Sequence, residues 1–197
     1  MLARFSLVIL AAGRAERMGF PKGLIRCNDR TLLENHIDSF FSNGGKRVHL
    51  ILGDNRGLYE RALAHLFHDP NIHVIINDRI ALGPFFSLQL GLRDSPGDEA
   101  RFILPVDAQT PGRSTWALLA QHSLPRYRAV VPVHGNRGGH PVVLSAVYSQ
   151  FLLSLDPAGA ESRLDVQIRS MPSHQVKRVE AGDESILANF NSSEDIP

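Results

Sequence analysis

The stretch VILAAGRAERMGFPKGL, residues 8–24, passes from an apolar run straight into a loop of glycine, arginine and lysine. The apolar run spans residues 5–12, the length and composition of a strand covered on both faces. With Arg4 ahead of it, the same run also has the layout of a short secretory signal, but Arg14, Glu16 and Arg17 stand where a small-residue cleavage site belongs. As the end of a strand, the loop acquires a purpose. Gly13 and Gly19 let backbone N–H groups approach an anion, and Arg14, Arg17 and Lys22 against Glu16 give a local charge of +2. A phosphate chain suits such a loop, with a solvated basic turn as the alternative reading. The common phosphate motifs are absent: there is no G-x-G-x-x-G, and Lys22 is followed by Gly23, where a P-loop carries serine or threonine.

The rest of the chain repeats the strand-then-helix rhythm. Apolar runs at 47–52, 73–76, 102–106 and 129–133 read as further central strands, and 175–179 as a last one. Between the first two strands, Thr31 followed three residues later by Glu34 is a capping box, and Asn43-Gly44-Gly45 is a stop. Residues 58–67, 85–92, 114–122 and 145–155 have helical spacing, the second with Ser87 as a candidate cap, and a short helix is expected between 156 and 172. This alternation implies an α/β fold with a mostly parallel sheet, and no linker or repeat divides residues 1–197 into more than a single domain.

Bulk composition excludes several functions. Twenty-one basic against twenty acidic residues give a net charge of +1, so no overall field favours nucleic acid or a membrane surface. A lone cysteine, Cys27, excludes an internal disulfide and multi-cysteine zinc patterns, and fits a cytoplasmic protein. No apolar stretch approaches the ~18 residues of a membrane span. There is no G-x-S-x-G, and Cys27 has no evident base.

In parallel sheets, ligands sit at the carboxyl ends of strands. After the fourth run comes LPVDAQTPG, where Asp107 is the only carboxylate and can ligate a divalent cation or simply turn the chain. After the fifth comes VHGNRGGHPVVLS, where Gly138-Gly139 reads as a tight turn aiming His140 over the sheet, or as a hairpin without chemistry. His65 and His68 have metal-sharing spacing, but nothing completes that site.

LAAGRAERMGFPK resembles the L-A-A-G-x-S-x-R-M-G-x-x-K signature of the MobA-like nucleotidyltransferases, which include the molybdenum cofactor cytidylyl- and guanylyltransferases. GPFFSLQLGL, LPVDAQ, GGHPVVLS and ANFNSSEDI resemble further segments of that family along most of the chain. The resemblance implies a Rossmann-like three-layer α/β/α fold of the nucleotide-diphospho-sugar transferase type. It implies an enzyme that moves NMP from an NTP, CTP favoured, to a phosphorylated acceptor with release of pyrophosphate, using Mg²⁺. The molybdenum cofactor is the expected acceptor, a sugar or polyol phosphate the alternative, and a molybdoenzyme or chaperone a conceivable partner. By match to the motif, Leu10, Ala11 and Ala12 line base and ribose, Gly13, Arg14, Met18 and Gly19 wrap the phosphates, and Arg17 and Lys22 neutralise them. Asp107 holds the metal, Ser87 belongs to the nucleotide side, and Gly139 and His140 to the acceptor side. Three departures stand out: Ala15 replaces the family's serine, DAQT stands where D-x-P is common, and Asn189 and Asn191 replace the aspartates of the tail motif. Those neutral amides motivate a further alternative, a nucleotide-binding module without turnover.

Overall fold

A computed structural model of the chain describes residues 2–13 and 19–190. Strand β1 (Phe5–Ala11) is hydrogen-bonded on both edges, to β4 (Val48–Leu52) and to β6 (Ala100–Pro105), both parallel. The opening run is therefore an interior strand of the sheet, not the apolar helix of a secretory signal. Its alternation feeds two cores. Leu7, Ile9 and Ala11 pack with α1 (Leu32–Ser42) and its Leu33, Ile37 and Phe40, while Val8 and Ala12 face the opposite layer. With no face left to solvent, the strand has no need of polar alternation.

Before α1 lies a small hairpin, β2 (Arg26–Cys27) with β3 (Arg30–Thr31), not foreseen in the sequence. The expected capping box is formed: Thr31 Oγ1 accepts from the Glu34 N–H at 3.2 Å, and the Thr31 N–H donates to Glu34 Oε2 at 2.8 Å. After β4, the single helix expected at 58–67 is two, α2 (Arg56–Ala62) and α3 (Ala64–His68). The break at Leu63, with ψ at 44°, lets Tyr59, Leu63 and Leu66 all reach the core. Strand β5 (Ile72–Ile76) then ends the sheet as an edge strand, so its expected central position is corrected.

Helix α4 (Pro84–Asp94) starts after Gly83, whose φ of 81° makes the entry turn, and not at Ser87, which lies inside the helix. Gly91 permits close packing there, because a Cβ would stand 2.4 Å from Val8 Cγ1 and 2.9 Å from Ile51 Cδ1. Beyond β6 come α5 (Arg113–His122), β7 (Ala129–His134), β8 (Arg137–Gly138) and β9 (Val142–Leu144). The tight turn of this region is Gly135-Asn136, with Gly135 at φ 60°, so Gly138-Gly139 is not the turn expected from sequence. Helix α6 (Ala146–Leu153) is capped by Ser145, whose hydroxyl accepts from the Tyr148 N–H at 3.2 Å. Helix α7 (Leu164–Ser170) and β10 (Val176–Glu180) complete the order β10-β7-β9-β6-β1-β4-β5, with β8 on β7. Strands β8 and β9 alone run antiparallel in this sheet, and β9 separates β6 from β7. The result is the expected three-layer α/β fold with a mostly parallel sheet.

Candidate active site

Lys22 sits in a one-turn 3-10 helix, Lys22–Leu24, fixed by the Leu24 N–H on the Pro21 carbonyl at 2.9 Å. The next residue must be small. A Cβ on Gly23 would lie 2.7 Å from Tyr59 Oη and 2.8 Å from Val106 Cγ2, and the Gly23 N–H donates to Tyr59 Oη at 3.2 Å. This wedge seats Lys22 against the end of β6, where its Nζ donates to Asp107 Oδ2 at 2.8 Å. Both side chains keep a route to solvent, at 22% and 28% exposure. An incoming anion or cation can therefore compete for either partner.

The Asp107 loop is pinned from α1. His36 is completely buried; its Nε2 lies 3.1 Å from the Val106 carbonyl and its Nδ1 2.9 Å from Thr110 Oγ1. A carbonyl only accepts, so Nε2 carries the proton and Nδ1 accepts from the Thr110 hydroxyl. Burial pushes the ring's pKa down to about 4, against the pull of the Val106 carbonyl and the Asp107 carboxylate. Ser39 donates to the Pro111 carbonyl at 2.7 Å and accepts from Trp116 Nε1 at 2.9 Å. Burial also pushes Tyr59 up to about 12, so its phenol stays neutral beside Gly23.

The tail is sewn into the same place. The Phe190 N–H donates to the Asp107 carbonyl at 2.7 Å, and the Gln109 N–H to the Ala188 carbonyl at 3.0 Å. Asn189 forms a backbone bridge with Ala108, the residue after Asp107, and is exposed. The Ile186 carbonyl accepts from the His140 N–H at 2.9 Å, and a Cβ on Gly139 would meet that carbonyl oxygen at 2.3 Å. Three sequence-distant loops thus meet at the carboxyl ends of β6 and β7.

The remaining expected residues distribute as follows. Ala11 and Ala12 are buried, and Leu10 is half-buried at the β1 end. Gly13 is exposed, its carbonyl accepting from Asn55 Nδ2 at 3.3 Å, and Gly19 takes φ 70°. Ser87 is buried and accepts from Asn77 Nδ2 at 2.9 Å, while Asn77 Oδ1 accepts from the Arg79 N–H at 2.8 Å. Arg14, Arg17, Met18 and Asn191 lie outside the described residues. His65 stands 3.5 Å from Glu34, and among the described residues the His65/His68 pair joins no group of three metal-capable side chains.

Beside this junction opens a cleft of about 980 Å³. Leu10, Phe85, Leu88 and Ile168 form apolar walls, Gly139 and His140 one end, and Arg163, Arg169 and Arg178 a basic rim. Asp165 pairs with Arg163 at 3.1 Å and with Arg169 at 2.7 Å. Three cations against that one carboxylate leave the rim positive. His140 Nδ1 is buried without a hydrogen-bond partner among the described residues, and burial holds its pKa below the usual histidine value, against the attraction of Asp107. Sequence reasoning missed His36, Tyr59 and the three arginines. Only His36 left a trace, as a polar residue on the Leu33, Ile37, Phe40 stripe of α1.

The family model of the MobA-like NTP transferase domain matches residues 7–175. Among solved structures, Rv0371c from Mycobacterium tuberculosis H37Rv is similar at 20% identity, with 97% of this chain and 95% of that chain covered and a TM-score of 0.79. A complex of Rv0371c with manganese has also been solved. A nucleotidyl transferase from Methanothermobacter matches at 22% identity, covering 97% and 93%, with a TM-score of 0.78. The inositol-1-phosphate CTP transferase from T. maritima matches at 18%, covering 98% and 91%, with a TM-score of 0.71. No curated protein matches the sequence. Among the described residues, no helix is long and apolar enough to cross a membrane.

Proposed function

The chain belongs to the MobA-like NTP transferase domain family and is a nucleotidyltransferase; on that premise we propose that it moves CMP from CTP to the phosphate of the molybdenum cofactor, releasing pyrophosphate. The observation that carries this reading is the contact of Lys22 Nζ with Asp107 Oδ2 at 2.8 Å, where the loops after β1 and β6 meet. In the reading, nucleotide phosphates draw Lys22 off Asp107, and the freed carboxylate becomes available for a cation.

The donors beside Asp107 fit Mg²⁺. A hard cation takes one or two carboxylates, neutral carbonyl oxygens and substrate phosphates, and in this reading Asp107 supplies the carboxylate and Asn189, whose backbone bridges the neighbouring Ala108, a neutral amide. Asn191 belongs to the same motif, outside the described residues. When bound, Mg²⁺ supplies charge neutralisation at the α-phosphate. Lys22, with Arg14 and Arg17 of the first loop, binds the triphosphate and balances the charge that develops on the leaving pyrophosphate. Leu10, Ala11 and Ala12, with Gly13, Met18 and Gly19, form the nucleotide side, and Ser87 orders the segment from Asn77 that borders it.

The acceptor phosphate is its own nucleophile. With a second pKa near ~6 it is largely ionised at neutral pH, and no general base is required. His140, held neutral by burial, then serves as a hydrogen-bonding wall of the acceptor cleft. Phe85, Leu88 and Ile168 suit a flat ring system and the arginines suit an anionic end, the two halves of a phosphorylated pterin, with Leu10 at the border to the nucleotide side. A product of that kind passes on to a molybdoenzyme or its chaperone in the cytoplasm. Support for cytidine comes from the T. maritima relative, a CTP transferase by name.

Incubation with each NTP, Mg²⁺ and either the molybdenum cofactor or a panel of sugar and polyol phosphates, read as pyrophosphate release, tests the assignment. Release with the cofactor and CTP supports it, and release only with a sugar or polyol phosphate replaces the acceptor. Nucleotide binding that persists in EDTA, without release from any pair, indicates a binding module instead.

A further inference from the structure

At the opposite end of the sheet from Asp107, the second residues of two neighbouring strands are both histidine. His49 of β4 and His73 of β5 are register partners in a parallel pair, so their side chains leave the same face, with ring centroids 5.3 Å apart. That is the face on which α4 packs, because Ile51, two residues along from His49, meets Gly91. The close approach permitted by Gly91 lets the last residue of α4, Asp94, reach the histidine pair. Asp94 Oδ2 accepts from His49 Nδ1 at 2.6 Å and lies 3.5 Å from His73 Nδ1.

From this geometry we infer a divalent transition-metal site, formed by His49, His73 and Asp94 and separate from the nucleotide site. One ligand atom from each residue lies within 4.8 Å of the others. Donor atoms about 2.0–2.2 Å from a tetrahedral zinc stand roughly 3.4 Å from each other, and the 2.6 and 3.5 Å separations fall on either side of that value. Two imidazole nitrogens and one carboxylate select Zn²⁺, Co²⁺ or Ni²⁺ over Mg²⁺, which prefers an all-oxygen shell.

Two further features fit a cation here. Asp94 occupies the last turn of α4, where the helix dipole disfavours an acid, so its placement calls for compensating positive charge. His49 is completely buried, so its ring is held in place against Asp94. The nearby guanidinium of Arg47 is engaged by Glu99 at 3.1 Å, which reduces its opposition to an incoming ion. His73 and Asp94 keep 46% and 38% of their side chains exposed, so the ion has an entry path and room for water ligands. Bound there, it would tie α4 to β4 and the edge strand β5.

The test uses the full chain, stripped of metal and titrated with Zn²⁺ in saturating Mg²⁺, which occupies oxygen-rich sites. One zinc per chain is expected. Its affinity should fall at least about 10- to 100-fold in His73→Ala and in Asp94→Asn, because that much is lost when only a group supporting a ligand is removed, and here a ligand itself goes. His73 is half exposed, so its variant should melt like the metal-free wild type, whereas zinc raises the melting temperature of the wild type only. X-ray absorption on the zinc-loaded wild type reads the ligands independently of any variant, and two imidazole nitrogens are expected. No bound zinc under these conditions, binding unchanged in both variants, or an absorption spectrum without imidazole would each overturn the site and leave a hydrogen-bonded histidine–aspartate cluster.

Discussion

Lys22 and Asp107 are 85 positions apart in the chain, yet the lysine Nζ donates to the carboxylate Oδ2 at 2.8 Å. The pair links the loop after β1 to the loop after β6, two parallel neighbours in the sheet. Sequence places each residue at a strand end; only the pairing of the strands brings them together.

Removing either member should disable transfer while leaving the fold intact. Lys22→Ala and Asp107→Asn are each expected to lower kcat by about 10² to 10³, the usual effect of deleting one charge-stabilising group. Both side chains are mostly buried, at 22% and 28% exposure, so each variant should lose about 1–3 kcal/mol of stability, the usual cost of a charged hydrogen bond, without unfolding. A larger stability loss in both variants would make the pair a structural clamp.

Gly23→Ala tests the wedge that presents Lys22. The new methyl would meet Tyr59 Oη at 2.7 Å and Val106 Cγ2 at 2.8 Å, so a destabilisation of about 1–3 kcal/mol is expected from urea unfolding. Adding Tyr59→Phe removes the nearest clashing atom and should recover part of that loss. Simple additivity of the two substitutions would place the strain elsewhere.

His36 makes stability depend on acid pH. Its folded pKa of about 4 lies below the unfolded value of 6.5, so the unfolded chain takes up a proton first as pH falls. Stability from this residue is thus unaffected above about pH 6.5 and declines between pH 6.5 and 4, by roughly 3 kcal/mol in all. His49 and His140 are shifted in the same direction and steepen the decline. Unfolding midpoints measured across that range should fall less steeply in His36→Gln than in the wild type. An unchanged slope would remove His36 from the acid response.

Much of the fold is legible before any coordinates. The strands at 5–12, 47–52 and 102–106 and the capping box at Thr31 are local signals, and all are realised. What escapes is set by the meeting of distant segments. Ser87 looks like a cap, yet its hydroxyl is engaged by Asn77 inside the helix. Gly139 looks like a turn residue, yet it is glycine because the Ile186 carbonyl crosses it. Residues 188–190 of the tail keep their place along the Asp107 loop through backbone hydrogen bonds at Ala188 and Phe190, which do not depend on whether residue 189 is aspartate or asparagine. Its position is therefore no measure of its charge.

That distinction yields a gain-of-function test. Asn189→Asp adds a second carboxylate to the proposed metal ligands without disturbing the backbone bridge to Ala108. Mg²⁺ activation curves should shift to lower concentration, by up to about tenfold if the added anion ligates the ion directly. An unshifted curve would separate Asn189 from the metal.

The cleft proposed for the acceptor has its own signature. Arg178→Ala should raise KM for the anionic acceptor and leave KM for the nucleotide unchanged, since Arg178 lines the cleft, whose lining includes neither Lys22 nor Asp107. Equal changes in both constants would contradict the division of the site into two halves.

The central claim is that this chain transfers a nucleotidyl group through Lys22 and Asp107. Incubation of α-phosphate-labelled CTP with the molybdenum cofactor and Mg²⁺ tests it most directly, with wild type and Asp107→Asn compared under the same conditions. The account predicts label in the acceptor, pyrophosphate in equal amount, and loss of both in the variant. Label transferred equally by the two proteins, or pyrophosphate released from no NTP and acceptor by a folded wild type, would contradict it.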